Sequence, residues 1–311
     1  MIVWIVVFIV SLYVLIQASD YFTRAAEQIG LSFGIPDFMV GLTIVAIGTS
    51  LPEIVSSIFA VLNDSSQIVV GNVVGSNVTN VFLIIGISAL IGKKIEITYE
   101  LTHIDLPLLM GSALFLAVTV WDGAFTLFEA FLCLAGIVVY MLHAVFTKEK
   151  RSVVVRGWRQ RKRMNWQTVV MLIVSALFIY VGGKYTIEAV IRLSGMLRIG
   201  TEIIAASVIA LGTSLPELAV TIAAARQGRP EIAVGNVLGS NIFNALAVMG
   251  IPALLGNLVI PQSIITFGIP MMLIASLLFF FMAQDKEITQ WEGWLLLIFY
   301  VFFIGKLFAV G

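Results

Sequence analysis

The chain has 311 residues, 60% of them hydrophobic and 12% charged, and its 18 basic and 18 acidic residues cancel. A soluble domain carries about 25% charged residues, so this composition excludes one and places the chain in a bilayer. The apolar runs are continuous over ~20 residues rather than alternating, which specifies helices and excludes a membrane β-barrel.

In chain order the runs predict ten spans, near residues 2–19, 37–62, 67–91, 104–121, 124–146, 167–192, 201–226, 230–255, 263–283 and 290–309. The opening MIVWIVVFIV has no basic n-region and no small-residue cleavage site, so it reads as a first span and not as a signal peptide. Asp20, Arg24 and Glu27 follow it, and Lys184, Glu188 and Arg192 end the sixth span. These charges read as snorkelling groups at membrane edges before gating ion pairs. Glu100 and His103 have metal-pair spacing but stand beside Lys93, Lys94 and Asp105, as in a solvated loop, and His143 reads as interfacial. Cys133, the only cysteine, is read as a small packing residue. Trp4, Trp121, Trp158, Trp166, Trp291 and Trp294 fall mostly near span ends, as in an aromatic belt. Eight of the 18 Lys and Arg lie between Lys148 and Arg163, in KEKRSVVVRGWRQRKR. Between spans this is a cytoplasmic loop rather than a nucleic-acid patch, so both termini are expected outside.

The chain repeats itself. GTSLPE stands at 48–53 and again at 212–217; GNVVGSNVTN at 71–80 returns as GNVLGSNIFN at 235–244. Residues 41–92 and 205–256 align without a gap at an offset of 164, with 23 identities in 52 positions. The expected organisation is a first five-helix repeat over 1–147, a basic loop over 148–165 and a second five-helix repeat over 166–311. Five is odd, so the second copy enters from the opposite side, which makes an all-α fold of two inverted repeats with a site near the midplane.

A carboxylate at the bilayer centre costs roughly 3 kcal/mol or more, and neither Glu53 nor Glu217 has a Lys or Arg in its motif. A bound cation is the economical partner. Pro52 and Pro216 remove helical donors and free carbonyls around residues 46–49 and 210–213. Thr49 and Glu53 are four apart and share a helix face, as do Thr213 and Glu217, Ser76 and Asn80, and Ser240 and Asn244. Gly71, Gly75, Gly235 and Gly239 allow close helix approach. Asn72, Asn77, Asn236 and Asn241 read as caps of broken half-helices rather than ion ligands. The donors are all hard oxygens, which select Na⁺, Ca²⁺ or related ions over Zn²⁺ or Cu²⁺. Two carboxylates balance one Ca²⁺ or two Na⁺; a third Na⁺ would make transport electrogenic.

The paired GTSLPE and GNV–GSN motifs resemble the two α-repeats of the sodium/calcium exchanger family, within the calcium/cation antiporter superfamily. The resemblance implies Na⁺/Ca²⁺ exchange by alternating access, with the first and sixth spans as a sliding bundle. It makes Glu53 and Glu217 the carboxylates shared by both ions and has Thr49 and Thr213 contribute oxygens to Ca²⁺. Ser50, Ser76, Ser214 and Ser240 line flanking Na⁺ sites with the Ala46 and Ala210 carbonyls, and Asn80 and Asn244 sit at the middle. Many members have aspartate at one of these last two positions. Asparagine at both speaks against potassium co-transport and bears on Na⁺ stoichiometry and on Na⁺ against H⁺ as the driving ion. The short central loop has no room for a calcium-sensing domain.

An H⁺-driven antiporter of the same fold, one carrying another divalent ion, and a passive cation channel remain alternatives. An intramembrane enzyme is not supported: HExxH, GxSxG and paired His–Asp arrangements are missing from the spans. The expected partners are the ions and lipid, with no cofactor, no nucleic acid and no obligate protein partner implied.

Overall fold

The computed structural model describes residues 1–33, 46–92, 94–96, 105–152, 165–226 and 230–310. Six helices among these are long and apolar enough to cross a bilayer; one bent pair makes a seventh rod and three shorter apolar helices complete ten. Val118, Phe128, Leu177 and Val301 are exposed on the rods, an apolar exterior suited to the hydrocarbon of a bilayer.

The first span is α1 (Ile2–Ser32). The second contributes α2 (Ala46–Thr49) and α3 (Leu51–Leu62), its expected start lying outside the described residues. The third is α4 (Gln67–Val78), a π-helical turn π1 (Thr79–Ile85) and α5 (Gly86–Gly92). The fourth and fifth are α6 (Leu106–Thr119) and α7 (Leu127–Ser152).

In the second half, α8 (Trp166–Leu197) is the sixth span. The seventh comprises α9 (Thr201–Ile204), π2 (Ala205–Ile209), α10 (Ala210–Thr213) and α11 (Leu215–Arg226). The eighth comprises α12 (Pro230–Phe243), π3 (Asn244–Val248) and α13 (Met249–Ala253). The ninth is π4 (Ile264–Gly268) with α14 (Ile269–Gln284), and the tenth is α15 (Gln290–Val310).

Three helices outrun the expected spans, α8 by continuing from residue 192 to Leu197. α1 continues past residue 19 to Ser32, because Asp20 and Arg24 are helix-compatible and form an i,i+4 ion pair at 2.9 Å. This exposed pair lies within one helix. α7 runs on to Ser152, so the first residues of the expected loop are helical, and 153–164 lie outside the described residues.

The inversion is visible in contacts between equivalent elements. α1 and α8 begin 164 residues apart and pack antiparallel: Thr186 donates to the Ser11 hydroxyl at 3.0 Å, while Thr168 donates to Gln28 Oε1 at 3.1 Å. A Cβ at Gly182 would lie 2.8 Å from the Leu15 backbone nitrogen, so glycine lets the two backbones meet. Arg192 stands over the Trp4 ring, 5.7 Å from its centroid, and so bridges these two helices by a cation–π contact.

Two short antiparallel ribbons join the repeats, β1 (Lys94–Glu96) with β4 (Glu287–Thr289) and β2 (Ala124–Phe125) with β3 (Leu258–Val259). Shifting the pairs Lys94↔Thr289 and Ile95↔Ile288 by 164 in opposite senses gives Leu258↔Phe125 and Val259↔Ala124, the two pairs of the other ribbon.

The last span of each repeat opens on T-x-x-E. The Thr126 backbone N–H and hydroxyl both donate to Glu129 Oε2, and those of Thr289 donate to Glu292 Oε2 at 2.7 and 2.8 Å. These are capping boxes. Glu129→Ala or Glu292→Ala is expected to cost about 1 kcal/mol of stability, read as a lower melting temperature in detergent, without loss of transport.

Candidate ion-binding site

The two GTSLPE segments fold alike. Each helix breaks at the serine, Ser50 with φ −90° and ψ 8°, Ser214 with φ −81° and ψ 2°, in the sparsely populated bridge region. The rod through Ser214 bends by 43°. A helix restarts at Leu51 and at Leu215, with the proline as its second residue. Proline has no N–H to give to the carbonyl four residues back, that of Gly48 or Gly212. The Ala210 carbonyl is already engaged: it accepts from the Ser214 N–H at 3.1 Å and the Thr213 hydroxyl at 3.4 Å. Ala46 opens α2.

The restart puts Glu53 and Glu217 in the first turn of α3 and of α11, where the helix dipole favours an anion. Both carboxylates are 1% exposed, and they lie close enough to interact through their charges. The threonines reach from one repeat to the other, to carboxylates with which sequence spacing alone does not pair them. Thr213 comes within hydrogen-bonding reach of Glu53, whereas Thr49 and Ser240 reach Glu217. Each carboxylate is thus completed by the other repeat.

The third and eighth spans close the site. Ser76 lies in the last turn of α4, just before π1, which holds Asn80; Ser240 and Asn244 stand likewise on α12 and π3. A π turn inserts extra backbone and is frequent at functional sites. All four side chains are buried. The oxygens Ser50 Oγ, Glu53 Oε2, Ser76 Oγ, Asn80 Oδ1, Ser214 Oγ, Glu217 Oε2 and Asn244 Oδ1 are buried and accept no hydrogen bond. One such atom costs about 1–3 kcal/mol. So many in matched positions offer only oxygen and two negative charges, the donor chemistry that hard cations take.

Asn72, Asn77, Asn236 and Asn241 do not cap half-helices. They lie inside α4 and α12 and tie helices together, because a buried amide finds its partner across the interface. Asn77 Nδ2 donates to the Asn241 carbonyl and Asn241 Nδ2 to the Asn77 carbonyl, both at 3.3 Å, across a separation of 164 residues. A residue that bonds its own equivalent lies on the pseudo-two-fold axis. Asn72 Oδ1 accepts from Thr213 at 3.4 Å, and Asn236 donates to the Glu217 carbonyl at 3.3 Å and to Thr221 at 3.0 Å. The available signal was the return of each asparagine in GNV–GSN. Cys133 is buried, with its thiol 3.9 Å from the Ala245 carbonyl. Glu100, His103 and Trp158 lie outside the described residues.

A family model described as sodium/calcium exchanger protein matches residues 3–146 and 167–308. The chain belongs to the sodium/calcium exchanger family. The sodium/calcium exchanger MaX1 of Methanosarcina acetivorans is 34% identical over 98% of both chains. The inner membrane protein YrbG of Escherichia coli is 34% identical over 79% of this chain and 78% of its own. Among solved structures, the sodium–calcium exchanger NCX_Mj soaked with Na⁺ and Sr²⁺ matches with a TM-score of 0.68 at 28% identity, over 98% of this chain and 99% of that one. The two segments of the exchanger family model fall on the two repeats and leave out 147–166, in agreement with the ten-span inverted fold.

Proposed function

We propose that the protein is a secondary active antiporter that exchanges Na⁺ for Ca²⁺ at the site between its inverted repeats. The observation that carries this is the pair of buried carboxylates ringed by unpartnered oxygens from both repeats. Glu53 and Glu217 bind either load, Thr49 and Thr213 contribute to Ca²⁺, and Asn80 and Asn244 lie at the centre. Ser50, Ser76, Ser214 and Ser240, with the Ala46 carbonyl, serve flanking Na⁺ positions; the Ala210 carbonyl would have to give up one of its two donors to join them.

Coupling follows from charge. Ca²⁺ and Na⁺ compete for the same two carboxylates, so only one kind of load occupies the site. Two bare charges resist passage through a low-dielectric barrier, so the empty carrier does not switch sides. The antiparallel α1–α8 pair slides across the site and opens it to one face at a time. With the basic loop cytoplasmic and both termini outside, Na⁺ influx drives Ca²⁺ out of the cell.

Calcium uptake into proteoliposomes loaded with Na⁺, compared with K⁺ or choline, tests the reading, with a pH-gradient arm alongside. Uptake that needs internal Na⁺ and carries current is expected. Uptake that follows the pH gradient and ignores Na⁺ would make the driving ion H⁺, and flux without a counter-ion would make the protein a channel.

A further inference from the structure

We propose that Asn241 is a positioning residue that aims the side-chain oxygen of Asn80 into the ion site. The inference rests on the reading of Asn80 as an ion ligand. An asparagine side chain offers an oxygen at one end and an NH₂ at the other, and a cation accepts only the oxygen. Something must decide which end faces the ion.

Asn80 Nδ2 donates to Asn241 Oδ1 at 2.9 Å. That bond holds the NH₂ away from the site and leaves Oδ1, which is buried and without a hydrogen-bond partner, as the free end. Asn241 is itself unable to turn over. Its Nδ2 donates to the Asn77 carbonyl, and the Asn77 amide donates back to the Asn241 carbonyl at 3.3 Å. Asn77 Nδ2 is also 3.7 Å from Met272 Sδ, which is buried on α14. A reversed Asn241 would set its NH₂ against that of Asn80 and its oxygen against the Asn77 carbonyl. The polarity of the chain Asn77–Asn241–Asn80 is therefore fixed in a place water does not reach, where a mismatched polar pair is expensive.

The arrangement is one-sided. Asn244 of the second repeat has no such bond: Asn77 Oδ1, which would be its equivalent acceptor, is without a partner. The same contact selects an amide at position 80, since an ionised carboxylate there would set two acceptors 2.9 Å apart.

The test is a double-mutant cycle on the full-length protein. Ca²⁺ saturation is read twice, from Na⁺-dependent uptake in proteoliposomes and from calorimetric Ca²⁺ binding in detergent. Asn80→Ala and Asn241→Ala are each expected to raise half-saturating Ca²⁺ about 10–100-fold, the usual loss when a ligand's supporting partner is removed. The double variant should be no worse than the weaker-binding single variant, because both remove the same oxygen from the site. Asn241→Asp is isosteric, and with its carboxyl protonated in this buried place it keeps an acceptor toward Asn80 and a donor toward the Asn77 carbonyl, so it should stay closer to the unsubstituted protein. It also carries the comparison should the alanine variant fail to accumulate. Additive losses, an Asn241→Ala that saturates normally, or an Asn241→Asp as weak as Asn80→Ala would each overturn the positioning role while leaving Asn80 as ligand. A normal Asn80→Ala would overturn the ligand assignment and the positioning role with it.

Discussion

Glu53→Gln and Glu217→Gln are each expected to bring Na⁺-dependent Ca²⁺ uptake below detection. Glutamine is nearly isosteric, so the helix restart after the break and the hydroxyls around the side chain stay in place. What goes is one of the two charges that offset the dehydration of the ion. Truncating one partner of a buried, hydrogen-bonded charge pair costs about 2–5 kcal/mol, which is roughly 30- to 4000-fold in affinity. Both carboxylates are 1% exposed, so solvent cannot make up the loss. Stability should move the other way, because a buried charge without a permanent counter-charge is itself destabilising. Uptake and melting temperature measured on the same preparations therefore separate lost function from lost fold. Full exchange in either variant would sink the assignment of the carboxylates.

Gly75→Ala should be the most damaging single-methyl change. The added Cβ would lie 2.5 Å from Ala206 Cα and 2.6 Å from its carbonyl carbon, and closer still to the carbonyl oxygen. These are backbone atoms, so no side-chain rotation relieves the clash. The third span must move away from π2, at a cost of about 1–3 kcal/mol. The displacement acts on the adjacent Ser76 and, one turn on, Asn80. The expected result is a melting temperature lowered by several degrees together with weaker Ca²⁺ saturation. Gly111→Ala is the control: that glycine is exposed, and among the described residues nothing lies within 4 Å of its added Cβ. Its melting temperature should hold or rise, since alanine favours a helix by about 0.5–1 kcal/mol over glycine.

What could be read in the sequence was whatever is written in order and composition. Ten apolar runs, the recurrence at 164 and two carboxylates in hydrocarbon needed no coordinates. The break at each GTSLPE also followed, because proline removes a specific donor. The crossed threonines did not follow. Helical spacing paired Thr49 with Glu53, and spacing within one repeat says nothing of a reach to the carboxylate of the other. The π turns at Asn80 and Asn244 have no compositional signature. Nor do ribbons of two or three residues, too short to show a period. α1 was read as ending near residue 19 because hydropathy measures membrane thickness, whereas the backbone stays helical wherever propensity and an Asp20–Arg24 pair allow. The two T-x-x-E capping boxes stand in plain order ahead of apolar runs.

The reciprocal bonds between Asn77 and Asn241, and the two ribbons whose registers interchange under the same shift, have the form of an isologous interface. They are the contacts that two separate half-length chains would make as a symmetric dimer, one inserted upright and the other upside-down. Such halves would have to enter the bilayer in both orientations in equal number. Joining them in one polypeptide removes that requirement, because the insertion of the first half then fixes that of the second. It also frees each copy to diverge, as Asn80 and Asn244 have done in their hydrogen bonding, which no pair of identical subunits could.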